Sequence, residues 1–137
     1  MGKKTVENLL AAFAGESQAR NKYTFFASVA KKEGWLEIAE FFEEAARNEK
    51  EHAEIIFKLL KGIGDTKANL KAAIEGESYE FKEMYPAFLQ DAIAEGELEA
   101  AKYFEAVASV EEYHAGRYAE LLAALEQGML LKREKAA

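Results

Sequence analysis

Apolar side chains recur every three or four positions along four long stretches of the chain, the 3.6-residue period of an amphipathic helix. The first stripe runs Leu9, Phe13, Glu16, Ala19, Tyr23, Phe26 and Ala30, and the second Ile38, Phe42, Ala45, Glu49, His52, Ile56 and Leu59. The third holds Leu70, Ala73, Glu77, Glu80 or Phe81, Met84 and Phe88. The fourth holds Leu98, Ala101, Phe104, Ala108, Glu111, His114, Tyr118 and Leu121. The pattern predicts helices near 5–33, 36–61, 66–95 and 97–127, with no strand candidate between them. Thr5 and Asp65 or Thr66 suit the N-caps, and the glycines at 34, 62, 64, 96 and 128 suit the stops. The single proline, Pro86, falls inside the third helix and should bend it by freeing the carbonyl of Lys82. The fold class expected is all-α, one four-helix-bundle domain over residues 1–137 made of hairpins at about 5–61 and 66–127.

The two hairpins repeat each other. Sliding residues 34–60 forward by 62 positions matches 12 of 27 residues, laying Glu49 on Glu111 and His52 on His114. Gly-Glu-Ser recurs at 15–17 and 76–78 with an offset of 61, so one residue has been inserted between the copies.

Every stripe carries an acid near its middle: Glu16, Glu49, Glu77 with Glu80, and Glu111. Burying one ionised carboxylate costs several kcal/mol, and neighbouring carboxylates repel one another as well. No Lys or Arg stands on these stripes, so the counter-charge expected is a metal. The second and fourth helices each carry Glu-x-x-His, Glu49 with His52 and Glu111 with His114, which places both side chains on one face a turn apart. These are the only two histidines, and their matched register makes the pattern that of a dinuclear carboxylate site in a ferritin-like bundle. The large aromatic positions need nothing beyond core packing to explain them.

Composition narrows the chemistry further. There is no cysteine, which removes disulfides, thiolate metal sites and thiol nucleophiles, and fits a reducing cytosol. A net charge of −7 argues against a nucleic-acid surface. The "LKREK" run at 131–135 is the one basic run and is expected to be a solvated chain end. The opening "MGKKTVENLL" lacks a secretory apolar run, and no segment is apolar enough for a membrane span, so a cytoplasmic location is expected.

With these residues laid out, the sequence resembles the di-iron domain of rubrerythrins along nearly its whole length. The resemblance runs from "LLAAFAGESQARNKY" through "ARNEKEHAEIIFKLL", "GESYEFKEMYP" and "VASVEEYHAGRY" to "LLKREKA". It implies seven metal ligands: Glu16, Glu49, His52, Glu77, Glu80, Glu111 and His114. Glu80 is one carboxylate more than a six-ligand ferritin-like site, and the family exchanges it for His52 when the two irons are reduced. That exchange leaves four carboxylates against the charge of two ferrous ions. The implied activity is reduction of hydrogen peroxide to water in oxidative-stress protection, with an oxo or hydroxo bridge in the oxidised state. Tyr23 and Tyr85 match tyrosines bordering the family's site, to hydrogen-bond a ligand carboxylate or simply to pack. Carboxylate and imidazole ligands also accept manganese or zinc. Typical relatives continue into a four-cysteine rubredoxin segment that is absent from these residues, so an external donor, a separate rubredoxin, is the expected partner. Two other functions compete: a ferritin-like ferrous iron oxidase or iron-binding protein, and a bundle whose metal is only structural.

The connection between the hairpins also bears on assembly. In a ferritin-like bundle the second and third helices run parallel, so their linker must return about 31 Å at 1.5 Å per residue. The seven steps from Leu60 to Lys67 reach about 25 Å at most. A domain-swapped homodimer is therefore expected, with Glu16, Glu49 and His52 of one chain completing a site with Glu77, Glu80, Glu111 and His114 of another.

Overall fold

The computed structural model describes residues 1–133; the last two positions of the basic run, Glu134 and Lys135, lie outside them. Helices α1 (Lys3–Lys32) and α2 (Leu36–Leu59) form one hairpin. The other is made of α3 (Thr66–Tyr79), a five-residue π segment (Glu80–Met84), α4 (Tyr85–Ala94) and α5 (Leu98–Glu126). No strand occurs among the described residues. Each hairpin is a compact unit, Met1–Ile63 and Gly64 onward.

Local sequence accounts for the helix ends. Asp65 caps α3 as expected, its side chain accepting from the Ala68 N–H at 2.9 Å. Thr5 is not a cap: α1 begins two residues earlier behind Gly2, which has no side chain to offer, so Thr5 sits inside the first turn. α1 and α4 stop at Gly34 (φ 90°) and Gly96 (φ 74°). There the N–H of the following residue returns to a carbonyl five positions back, Trp35 to Ala30 and Glu97 to Ala92, both at 2.8 Å. α2 ends with Lys61 in the left-handed region (φ 58°), and Gly62 follows because any Cβ there would collide with the Phe57 ring.

Small residues close each helix–helix seam. The buried side chains are alanines: Ala27, Ala30, Ala39, Ala46 and Ala53 in the first hairpin, Ala92, Ala101 and Ala115 in the second. Above each seam stands an aromatic triad, and the two triads match at an offset of 62. Tyr23, Phe26 and Phe42 have ring centroids 6.4, 6.0 and 5.6 Å apart, and Tyr85, Phe88 and Phe104 repeat this at 6.0, 6.0 and 5.6 Å. Phe57 stacks on Phe13 at 4.8 Å beneath the turn at Gly62. Phe26, Ile38, Leu59 and Phe88 on the ligand-bearing stripes nevertheless remain 41–52% exposed, a face that two helices alone do not cover.

The π segment is the inserted residue. Glu16 and Glu77 are 61 positions apart, whereas Tyr23 and Tyr85 are 62 apart, so the extra residue lies between Glu77 and Tyr85, where the helix widens. Without widening, Tyr85 would lie about 80° round the helix from Glu77; absorbing one residue brings it back onto the same face. The Tyr85 N–H reaches the Glu80 carbonyl five residues back. Pro86 adds the constraint anticipated as a bend, since it has no N–H for the Lys82 carbonyl. Its counterpart in α1 is Thr24, whose hydroxyl donates to the Arg20 carbonyl at 3.0 Å inside a regular helix.

A chain lacking Lys82 and carrying Pro86→Thr should therefore form an uninterrupted third helix with its aromatic triad intact. Far-ultraviolet circular dichroism should match the parent and the near-ultraviolet tyrosine signal should persist; collapse of either would contradict the insertion account. Deleting Ala108 instead turns Glu111 and His114 by about 100° relative to the seam and should abolish metal binding.

Candidate metal centre

Each hairpin gathers one carboxylate from its first helix and a Glu-x-x-His pair from its second. Glu16, Glu49 and His52 offer ligand atoms all within 4.8 Å of one another, and so do Glu77, Glu111 and His114. The i, i+3 spacing sets the pair on one face, and the alanine seam brings the opposite helix close enough to add the third ligand. His52 Nδ1 lies 3.7 Å from Glu16 Oε2 and 3.8 Å from Glu49 Oε2, and His114 Nδ1 lies 3.5 Å from Glu77 Oε1. Two donors each about 2.1 Å from one ion stand roughly 3 Å apart, so small side-chain movements suffice to close either group on a metal.

The second group asks for a cation more strongly. Glu77 Oε2 is buried with no hydrogen-bond partner, a cost that a metal bond removes. Glu80, at the start of the π segment, faces Glu111. Its carboxyl is pushed above the ordinary range, first by hydrogen bonding with Glu111, then by burial and the Glu111 charge. Glu111 is raised chiefly by its hydrogen bond with Glu77, while Glu80 and His114 pull the other way. Three carboxyl groups thus meet where a cation would satisfy them together. The donor set of oxygen and imidazole nitrogen, without thiolate, fits iron or manganese. In the first hairpin the position matching Glu80 at an offset of 61 is Ala19, so only the second group has a carboxylate to spare.

The chain matches the rubrerythrin family over residues 7–122. It belongs to the rubrerythrin family. It is 49% identical to the rubrerythrin of Porphyromonas gingivalis, an alignment covering 96% of this chain and 72% of that one. The rubrerythrin of Nitratidesulfovibrio vulgaris is 42% identical, with 98% and 78% covered. Among solved structures, nigerythrin in its fully reduced, all-ferrous state is similar at 34% identity and a TM-score of 0.46, over 92% of this chain and 69% of that one. Membership makes this a ferritin-like, di-iron protein of an oxidoreductase family, and the two carboxylate–histidine groups are its candidate metal sites.

Of the residues expected from sequence, Glu16, Glu49 and His52 come together in one group and Glu77, Glu111 and His114 in the other. Glu80 stands outside the second trio but against Glu111. Tyr23 and Tyr85 occupy the equivalent corners of the two aromatic triads. The Tyr85 phenol is held protonated, first by burial and then by Tyr103 and the charges of Glu80, Glu111 and Glu77. The π segment itself was not anticipated; the step in repeat offset from 61 to 62 was its signal. No helix is long and apolar enough to cross a membrane among the described residues.

A raised carboxyl stabilises the folded protein below its unfolded value of about 4.5 and loses that contribution as pH rises through the folded value. The metal-free protein should therefore weaken between mildly acidic and neutral pH. Glu80→Gln should flatten that fall and raise the neutral-pH melting temperature of the metal-free protein. Thermal melts across this range check it, and an unchanged slope in the variant would refute it.

Proposed function

We propose that this protein is a cytoplasmic di-iron peroxidase that reduces hydrogen peroxide to water with electrons from an external donor, in protection against oxidative stress. The observation that carries the reading is Glu80: a seventh donor set against the second trio, absent from the first hairpin's matching position. Two bound ferrous ions supply the electrons for H2O2 + 2 e− + 2 H+ → 2 H2O. The protein's part is to hold ligands, exchange one of them and manage protons. The His52 side chain is 54% exposed and has room to swing toward or away from Glu16 and Glu49. Glu80, when it is not a ligand, readily holds a proton on its carboxyl oxygen, and Tyr85 keeps its phenol proton for hydrogen bonding. Glu16, Glu49, Glu77, Glu111 and His114 are the constant ligands in this reading.

The reading includes a domain-swapped homodimer. From Glu49 to the end of α2 at Leu59 is about 15 Å, and from Thr66 to Glu77 about 16 Å. The seven steps between Leu59 and Thr66 span about 25 Å at most, too short for a return along the bundle. A second copy would bring its C-terminal hairpin to the first hairpin's open apolar stripe. Multi-angle light scattering should give a dimer. A monomer that retains two metals would overturn the swap.

Anaerobically reduced, iron-loaded protein should be oxidised rapidly by one equivalent of peroxide and slowly by dioxygen in stopped flow; the reverse order would favour a ferritin-like ferrous iron oxidase. His52→Ala should retain iron in the oxidised state yet slow the peroxide step by about tenfold or more. Glu80→Ala should narrow the preference for peroxide over dioxygen. Equal metal loss in both oxidation states of His52→Ala would contradict the ligand exchange.

A further inference from the structure

The third helix could absorb its extra residue at more than one place. Between Glu77 and Tyr85, Ser78, Tyr79, Phe81 and Lys82 all carry backbone N–H groups able to close either a narrow or a wide turn. The widening sits at Glu80–Met84. Glu80 itself still belongs to the narrow register, because its N–H points back to the Gly76 and Glu77 carbonyls, four and three residues away. Its own carbonyl accepts across a wide turn, from the Tyr85 N–H.

The place of the widening decides which way Glu80 faces. Three residues of regular helix put Glu80 about 60° round from Glu77, on the same side of the helix. Were the extra residue absorbed before Glu80 instead, the side chain would turn about 100° further, the rotation of one residue, and leave that side. It would then lose its place against Glu111.

Pro86 favours one of these places. It stands in the first turn of α4, where a helix needs no N–H. In an unbroken α-helix its ring would collide with the Lys82 carbonyl, four residues back. A wide turn from Lys82 to Pro86 relieves that collision, so the extra residue is absorbed most cheaply after Glu80 and directly before the proline. In α1 the matching position is Thr24, whose hydroxyl donates to the Arg20 carbonyl in a regular helix, and that helix has no acid at the position of Glu80.

We propose that Pro86 is the positioning residue for Glu80: it holds the widening between Glu80 and Tyr85 and so keeps this carboxylate on the face of Glu77 and against Glu111. It acts through the backbone, six residues from the side chain it places. Without it the widening is free to move along the helix past Glu80, and in a fraction of the molecules the carboxylate turns away from the seam. What the placed Glu80 does in the ligand set rests on the peroxidase reading above; its placement does not.

The chain has no cysteine, so Glu80→Cys supplies a single thiol whose rate of reaction with a disulfide reagent, measured on the metal-free protein, reports which way position 80 faces. Adding Pro86→Ala should raise that rate by about tenfold or more. Deleting Lys82 as well should return it to the slow value, because no extra residue remains to migrate. Ala92→Cys, at the buried seam beyond the proline, should react equally slowly with and without Pro86→Ala. An unchanged rate at position 80, a matching rise at position 92, or failure of the Lys82 deletion to restore protection would each overturn the proposal. In iron-loaded protein that keeps Glu80, Pro86→Ala should narrow the preference for peroxide over dioxygen, and it should add nothing in the Glu80→Ala background. Additive effects of the two substitutions would also overturn it. Failure of peroxide to oxidise the reduced wild type would instead sink the peroxidase reading and leave the thiol rates to decide the placement.

Discussion

Like charges forced together on an apolar stripe are the constraint around which this molecule is organised. Glu80 and Glu111 are crowded closely enough to hold protons above the ordinary carboxylate range, and one buried oxygen of the neighbouring Glu77 has no partner. A cation held there would convert that repulsion into bonds tying α3 to α5, and one at the trio on α1 and α2 would tie those helices in the same way. The helices must therefore approach closely at the ligand level, and the alanine seams allow it. The aromatic triads hold Tyr23 and Tyr85 in equivalent places in the two hairpins.

Duplication accounts for the symmetry, and departures from it account for the chemistry. Ring spacings in the two triads agree to within half an ångström, yet a single inserted residue widens the third helix and sets Glu80 where the first hairpin has Ala19. Each hairpin holds a trio of its own; the second has a spare carboxylate, Glu80, beside it, and the first has a half-exposed histidine, His52.

Much of this was legible in the chain. Periodicity placed the four helices to within two or three residues at their ends, because helix formation depends on neighbours three and four positions away. The ligand groups were legible for the same reason: Glu-x-x-His is a one-turn pattern, and Glu16 and Glu77 interrupt stripes that are otherwise apolar. Thr5 was misread as a cap because a helix can begin one turn earlier behind Gly2 without any side-chain cap. The missing N–H of Pro86 points to a local disturbance of the helix, but the π segment just before it depends on the extra residue as well.

By itself the sequence determined the helical class, the duplicated hairpins and the candidate metal donors, all of which follow from periodicity and residue chemistry along the chain. Only the tertiary structure decided which carboxylates meet and which alanines form the seams. These depend on atoms of different helices meeting at specific distances. Glu80 draws on both levels: its residue type is read from the chain, but its place against Glu111 comes from a π segment and the helix packed beside it.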